Sequence, residues 1–241
     1  MKKSLAIILA ALLLSASFVA CDNNSDKNED TTDAATVETT VTTDAATTEE
    51  VTTETPAPSE DELAAAASLE TIASNLAAKY AEIAGLRESY DQFMADMATW
   101  PEEERYEMTF EEFFSAQVAV MPVDTTAEEL WLQGFSEAPT GFSEAYLYQP
   151  MMMGQAFIGY VFRVAEGTDV ETFKQTLKDT SDPRWNICTM ANTTVCESFG
   201  NLVYFSMMVV ADEENPFGFT VEQKDAFTTT FIESITGTAA N

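Results

Sequence analysis

The chain has no histidine at any of its 241 positions. Imidazole is the commonest general base, the commonest transition-metal ligand and the usual titrating switch near neutral pH. Its absence excludes Ser-His-Asp and Cys-His hydrolases and every His-containing zinc site. Positive charge is scarce as well: 11 Lys and Arg face 41 Asp and Glu, for a formal net charge of −30. Nucleic-acid binding depends on cations that neutralise phosphates, so nucleic acid is excluded as a partner. Anionic headgroups and teichoic-type polymers are repelled for the same reason. Cysteine is limited to Cys21, Cys188 and Cys196, without the C-x-x-C spacing of redox or zinc motifs. Phosphate-cradling glycine loops and nucleophile motifs are missing too. The acidic runs do not alternate as calcium loops do, and Asp212-Glu213-Glu214-Asn215 is their nearest approach. No cofactor and no metal centre is expected.

What is present begins with an address. Lys2-Lys3 precede an apolar stretch from Leu5 to Leu14, so residues 1–20 read as a signal peptide. That apolar core is too short for an ordinary membrane-spanning helix. Phe18-Val19-Ala20-Cys21 resembles the lipobox of bacterial lipoproteins, with Phe18 where Leu is usual. The resemblance implies cleavage before Cys21, diacylglycerol on its thiol, and anchoring at the extracytoplasmic face of the cell membrane. Residues 21–59 then form a lipidated cysteine and an acidic, Thr-rich tether in which Thr-Thr-Asp-Ala-Ala-Thr occurs at 31–36 and again at 42–47. Such a segment buries too little apolar surface to repay ordering. Its contour approaches ~130 Å and its coil-like average ~35 Å.

From residue 60 to 241 the composition fits a single globular domain. Ser59 and Glu62 form a capping-box pattern, and Leu69, Ile72, Leu76, Tyr80 and Ile83 recur at helical spacing. Leu86, Tyr90, Phe93 and Met97 let the helix continue or restart past Gly85 to about residue 98, where Trp100-Pro101 stops it. A short helix is predicted from Thr109 to about Gln117, and a further turn or two within 125–133. Residues 144–149 and 156–165 read as strands, 169–178 as a helix, and 193–198 with 201–210 as a hairpin turning at Gly200-Asn201. A last helix fits 220–235. The expectation is an α+β fold: N-terminal helices, then a small, mainly antiparallel sheet with one or two packed helices in a partly ferredoxin-like order.

Within that sheet region, Tyr148-Gln149-Pro150-Met151-Met152 and the Glu166-Gly167-Thr168-Asp169-Val170 entry to a helix carry a second likeness. Asp182-Pro183-Arg184-Trp185-Asn186-Ile187-Cys188 and Gly200-Asn201-Leu202-Val203 continue it. With the lipobox and the acidic linker, this pattern over 148–203 resembles uncharacterised surface lipoproteins of clostridial, Gram-positive bacteria. The resemblance implies a cell-surface location and carries no activity with it.

Three local features invite a functional reading. Met151, Met152 and Met153 form a run of thioethers, which suits an adaptable apolar binding surface, copper(I), or plain core packing. Alternation along a strand keeps three successive residues from converging, even with Met207 and Met208 to join them. Trp185 beside Arg184 can stack on a sugar ring or a partner, or can plug the core under the hairpin. Cys188 and Cys196 are separated by a distance a disulfide can close, the alternative being two buried thiols. The lack of histidine, of nucleophile and phosphate-binding motifs and of metal-ligand spacing, together with the long acidic tether, supports a non-enzymatic binding or interaction module with an envelope protein as a partner. A glycan hydrolase working through paired carboxylates stays open beside it. So does a small-ligand-binding lipoprotein serving a transporter, although about 180 residues is small for two lobes.

Overall fold

The computed structural model describes residues 57–127, 130–151, 156–186 and 189–237. The signal peptide, Cys21 and nearly all of the tether lie outside those residues. Ser59 caps the first helix as its sequence predicts, its hydroxyl accepting from Glu62 N while Glu62 Oε2 accepts from Ser59 N at 2.8 Å. The long helical pattern is divided into three pieces: α1 (Glu60–Ala66), α2 (Leu69–Ile83) and α3 (Leu86–Met97). Ala67 and Ser68 are extended at the first break, and Ser68 recaps α2 by accepting from Thr71 N. The stripe from Leu69 to Tyr80 is buried, so α2 packs on the sheet and does not stand off as a stalk.

After a 3₁₀ turn at Glu102–Glu104 comes α4 (Phe110–Gln117), opened by a Thr109–Glu112 capping box. It runs directly into a strand that the periodicity did not announce, β1 (Val118–Pro122). This strand is short, lies at the sheet edge and ends in proline, a residue that only edges tolerate. Within residues 125–133 the sequence predicts a further turn or two of helix. Their described part is irregular instead, starting with an Asx turn in which Asp124 accepts from Thr126 N at 2.9 Å. The remaining elements are β2 (Phe142–Pro150), β3 (Phe157–Val164), α5 (Val170–Thr180), β4 (Thr193–Phe199), β5 (Leu202–Met208) and α6 (Val221–Thr236). Each falls where its pattern placed it, and Gly200-Asn201 is the two-residue turn of the β4–β5 hairpin.

Within the five-stranded sheet the pairings are antiparallel, in the spatial order β1-β2-β3-β5-β4. β3 and β4 both oppose β5 and so run parallel to one another, with α5 making the crossover between them. That is a split β-α-β arrangement. The fold is therefore α+β, but its ferredoxin-like character stops at strand order, because α5 and α6 cover opposite faces.

Alternation divides the core in two. On one face Phe157, Val161, Tyr204 and Met208 meet α1, α2 and α6, whose Phe227 and Phe231 are fully buried. On the other, Ile158, Tyr160, Phe162, Val203, Phe205 and Met207 meet Phe173 and Leu177 of α5. Complete burial of such a side chain is worth roughly 1.5–3 kcal/mol. Arg163 ties the helical layer to the sheet: Nη1 donates to Ala64 O at 2.9 Å, Nη2 to Ala67 O at 2.7 Å, and Nε to Glu144 at 3.2 Å. It thereby serves the carbonyls exposed where α1 ends.

The tightest point of the first face is Gly159. A Cβ there would lie 2.3 Å from the Tyr148 ring, which passes directly over the strand. Tyr148 in turn donates to Tyr204 Oη at 3.3 Å, and Tyr204 to Ser206 Oγ at 2.8 Å, so the buried hydroxyls satisfy one another. Gly159→Ala is expected to lower the unfolding free energy by about 2–3 kcal/mol through overpacking. In a Tyr148→Leu background the same change costs under about 1 kcal/mol. Urea titrations of the four proteins in this cycle measure the coupling, and purely additive losses would show that the ring is not what excludes the methyl group.

Candidate functional site

The two faces are not covered equally. α5 lies over β4, β5 and part of β3, while among the described residues the β1–β2 side of that face is covered by residues 123–127 and 130–138. Where these residues fall short of the sheet edge, a groove of about 360 Å³ opens. Its floor follows from register: Met121 pairs with Leu147, Leu147 with Tyr160, and Ala119 with Gln149, so these side chains share one face. Its wall is Leu130-Trp131-Leu132. Leu132 is buried, whereas Trp131 turns outward and is 75 % exposed, with Met121 44 % exposed across the opening.

The wall is stitched at several points. Tyr160 Oη donates to Gln133 O at 2.8 Å, and Gln149 Nε2 donates to Gln133 Oε1 at 3.2 Å. Asp182 N donates to Gly134 O and Ser136 N to Thr180 O, both at 2.8 Å, which fastens the loop to the end of α5. Gly134 makes this close approach possible: its φ is +90°, and a Cβ would lie 2.9 Å from Met207 Cε. Trp131 is thus an exposed ring on a hydrogen-bonded loop.

Among the described residues the groove lining carries little charge. Asp124 is the one ionisable carboxylate lining it among the described residues, and its bonds from Thr126 hold it below the usual carboxylate range. Tyr160, at the floor, is pushed upward by burial and stays a neutral hydroxyl. A second hollow of about 420 Å³ lies among Ala78, Ala81, Phe110 and Phe114 on α2 and α4. Its cation is already engaged, with Arg87 Cζ 3.6 Å from the centre of the Phe110 ring.

The residues singled out from sequence do not gather at one place. Met151 follows the end of β2, is 57 % exposed, and donates its N–H to Gln117 O at 2.7 Å. Met152, Met153 and Cys188 lie outside the described residues, as does Cys21. Met207 and Met208 are fully buried on opposite faces of β5, so neither can join Met151 in a thioether cluster. Trp185 is half-buried against the second core, in a turn where Asp182 accepts from Arg184 N. Asp212 spends one oxygen on the N–H groups of Glu214 and Asn215 and the other on Asn192. The calcium-like stretch is therefore a turn, and among the described residues no group of three acidic or thiol side chains could hold a metal. Trp131 went unremarked in the sequence. The signal that could have found it is the apolar triplet Leu130-Trp131-Leu132 itself, two positions before Gly134.

No protein-family model, no curated protein and no solved structure matches this chain.

Cys196 is buried in β4, with Sγ 3.8 Å from Lys174 O. Burial pushes its thiol up from 9.0 to about 11, against the weaker pull of Lys178 and Lys174. The stability secured by the protonated thiol is therefore present in full below pH 9 and lost as the pH climbs through about 11. In a Cys188→Ala variant, iodoacetamide at pH 8 is expected to leave Cys196 unmodified for hours in the folded protein and to alkylate it within minutes in urea. Equal rates in the two states would mean that the thiol is open to solvent.

Proposed function

We propose that the chain is a membrane-anchored extracytoplasmic lipoprotein, held by lipid on Cys21, whose folded part is a non-enzymatic binding module of a Gram-positive envelope. The observation that carries this reading is the exposed Trp131 ring, two residues before the hydrogen-bonded Gln133 and beside a groove of ligand size. A soluble domain that places a large aromatic in water at such a position gains recognition area there at no stability benefit.

The carboxylates support binding over hydrolysis. A glycan hydrolase without histidine needs one carboxyl kept protonated near neutral pH by burial or a like charge. Among the described residues, Glu62, Glu112, Asp124, Asp169, Asp212 and Glu222 are all shifted downward, chiefly by hydrogen bonds from backbone or hydroxyl donors. Those bonds cap helices and close turns. A lipid anchor and a long tether complement such a module by raising its effective concentration near partners in the envelope.

A photo-crosslinking residue placed at Met121, on the groove rim, tests the reading in intact cells against one at Glu222, at the start of α6. Covalent adducts to envelope material are expected from position 121 and not from 222, and Cys21→Ala is expected to abolish them while releasing the protein from the membrane fraction. Equal adduct yields at the two positions, or none above the Cys21→Ala control, would overturn it.

A further inference from the structure

The polar side of the groove has a definite chemical character. Gln133 and Gln149 are joined head to tail through one N–H···O bond. Each amide carries one carbonyl and one NH₂ group. Whichever way round the two amides are set, their pairing consumes one donor and one acceptor. It leaves a carbonyl on one side chain and an NH₂ group on the other, neither engaged by another described residue. A free acceptor and free donors next to each other match neighbouring hydroxyls, which both donate and accept. Both side chains are half-buried and one amide braces the other, so little rotamer freedom remains to be lost on binding.

The apolar side matches the same class of ligand. Trp131 and Met121 line the same groove and add a flat aromatic face and a flexible thioether to the amides. A pyranose ring presents C–H groups on its face and hydroxyls at its edge, and so needs both kinds of surface at once. Charge narrows the class further. Asp124 beside the groove, on a chain of net charge −30, opposes phosphate- and carboxylate-bearing polymers. An uncharged saccharide meets no such opposition. At about 360 Å³ the groove falls within the ~300–1,000 Å³ usual for small-ligand sites.

We infer that the groove between Trp131 and Met121 binds an uncharged glycan, with one sugar ring stacked on Trp131 and its hydroxyls held by the Gln133–Gln149 amide pair. The inference rests on the binding-module reading and names its ligand class.

The test uses the mature lipidated chain in neutral detergent micelles, with chitotetraose and cellotetraose as probes and calorimetric titration as the readout. Saturable binding of at least one probe is expected. Trp131→Ala should weaken it 10-fold or more, Trp131→Phe less, and Gln149→Ala severalfold. Trp185→Phe should leave it unchanged. Thermal melts of the Trp131 variants should match the parent, because the ring is largely solvent-exposed. Two results would each overturn the assignment: no saccharide binding, or binding that Trp131→Ala does not weaken. If position 121 still yields envelope adducts while no saccharide binds, the glycan falls and the binding module stands. A protein in those adducts names the competing ligand class and overturns the glycan equally. Failure of both measurements removes both readings.

Discussion

Strands β3 and β5 have no face that can be shown to water, and the rest of the molecule is arranged around that fact. From Phe157 to Phe162 every residue of β3 is buried, and so is every residue of β5 from Leu202 to Met208. Antiparallel sheets commonly leave one face wet, which gives their strands alternating apolar and polar positions. Here alternation sorts apolar residues into two separate cores. A sheet of this kind must be covered twice over, and one chain has to supply both covers.

The two covers are built differently. The first face receives three helices, and Arg163 fixes where the first of them ends by donating to the carbonyls of Ala64 and Ala67. A lysine presents its donors from a single atom and lacks the planar fork that reaches both carbonyls and Glu144 from separate nitrogens. The second face receives only α5, since the split β-α-β crossover carries a single helix over β5. Its remainder falls to the loop after β1, which buries Leu132 and Phe135 and exposes Trp131. The groove is thus a consequence of a shortage of helix on one side of the sheet. Gln133 decides its shape, since its carbonyl is bonded to Tyr160 and its side chain to Gln149.

Most elements were legible because their signals are local. Ser59 with Glu62, Gly200-Asn201, and the apolar positions of α5 and α6 each specify structure within a few residues. What was not legible depends on distant partners. β1 has five residues, a terminal proline and no periodicity to show, and it is a strand only because β2 lies beside it. The break at Ala67-Ser68 follows from alanines that are good helix formers, so propensity argued against it, and Arg163, nearly a hundred positions away, takes up the exposed carbonyls. The stretch 125–133 has the composition of a weak helix, yet its leucines are claimed by the sheet at alternate positions. The site suffered the same fate. Rare side chains drew notice in the sequence, and Met207 and Met208 proved to be core, while the groove is made of ordinary residues brought together by register.

The excess of acid also takes on a meaning that composition alone could not give. Among the described residues every α-helix carries Asp or Glu in its first turn, and α5 alone carries a basic residue in its last. Negative charge is thus placed where the helix dipole and the unpaired N–H groups stabilise it. Where such a carboxylate accepts from the cap residue, as Glu62 and Glu112 do, those bonds hold it below the usual carboxylate range and make it a poor proton donor. The arrangement that lets so acidic a chain fold therefore also removes those carboxylates from acid catalysis. What is left is an acidic chain with a recess whose described lining holds one carboxylate, beside an exposed indole. On such a surface the favoured ligand is one whose binding does not depend on charge.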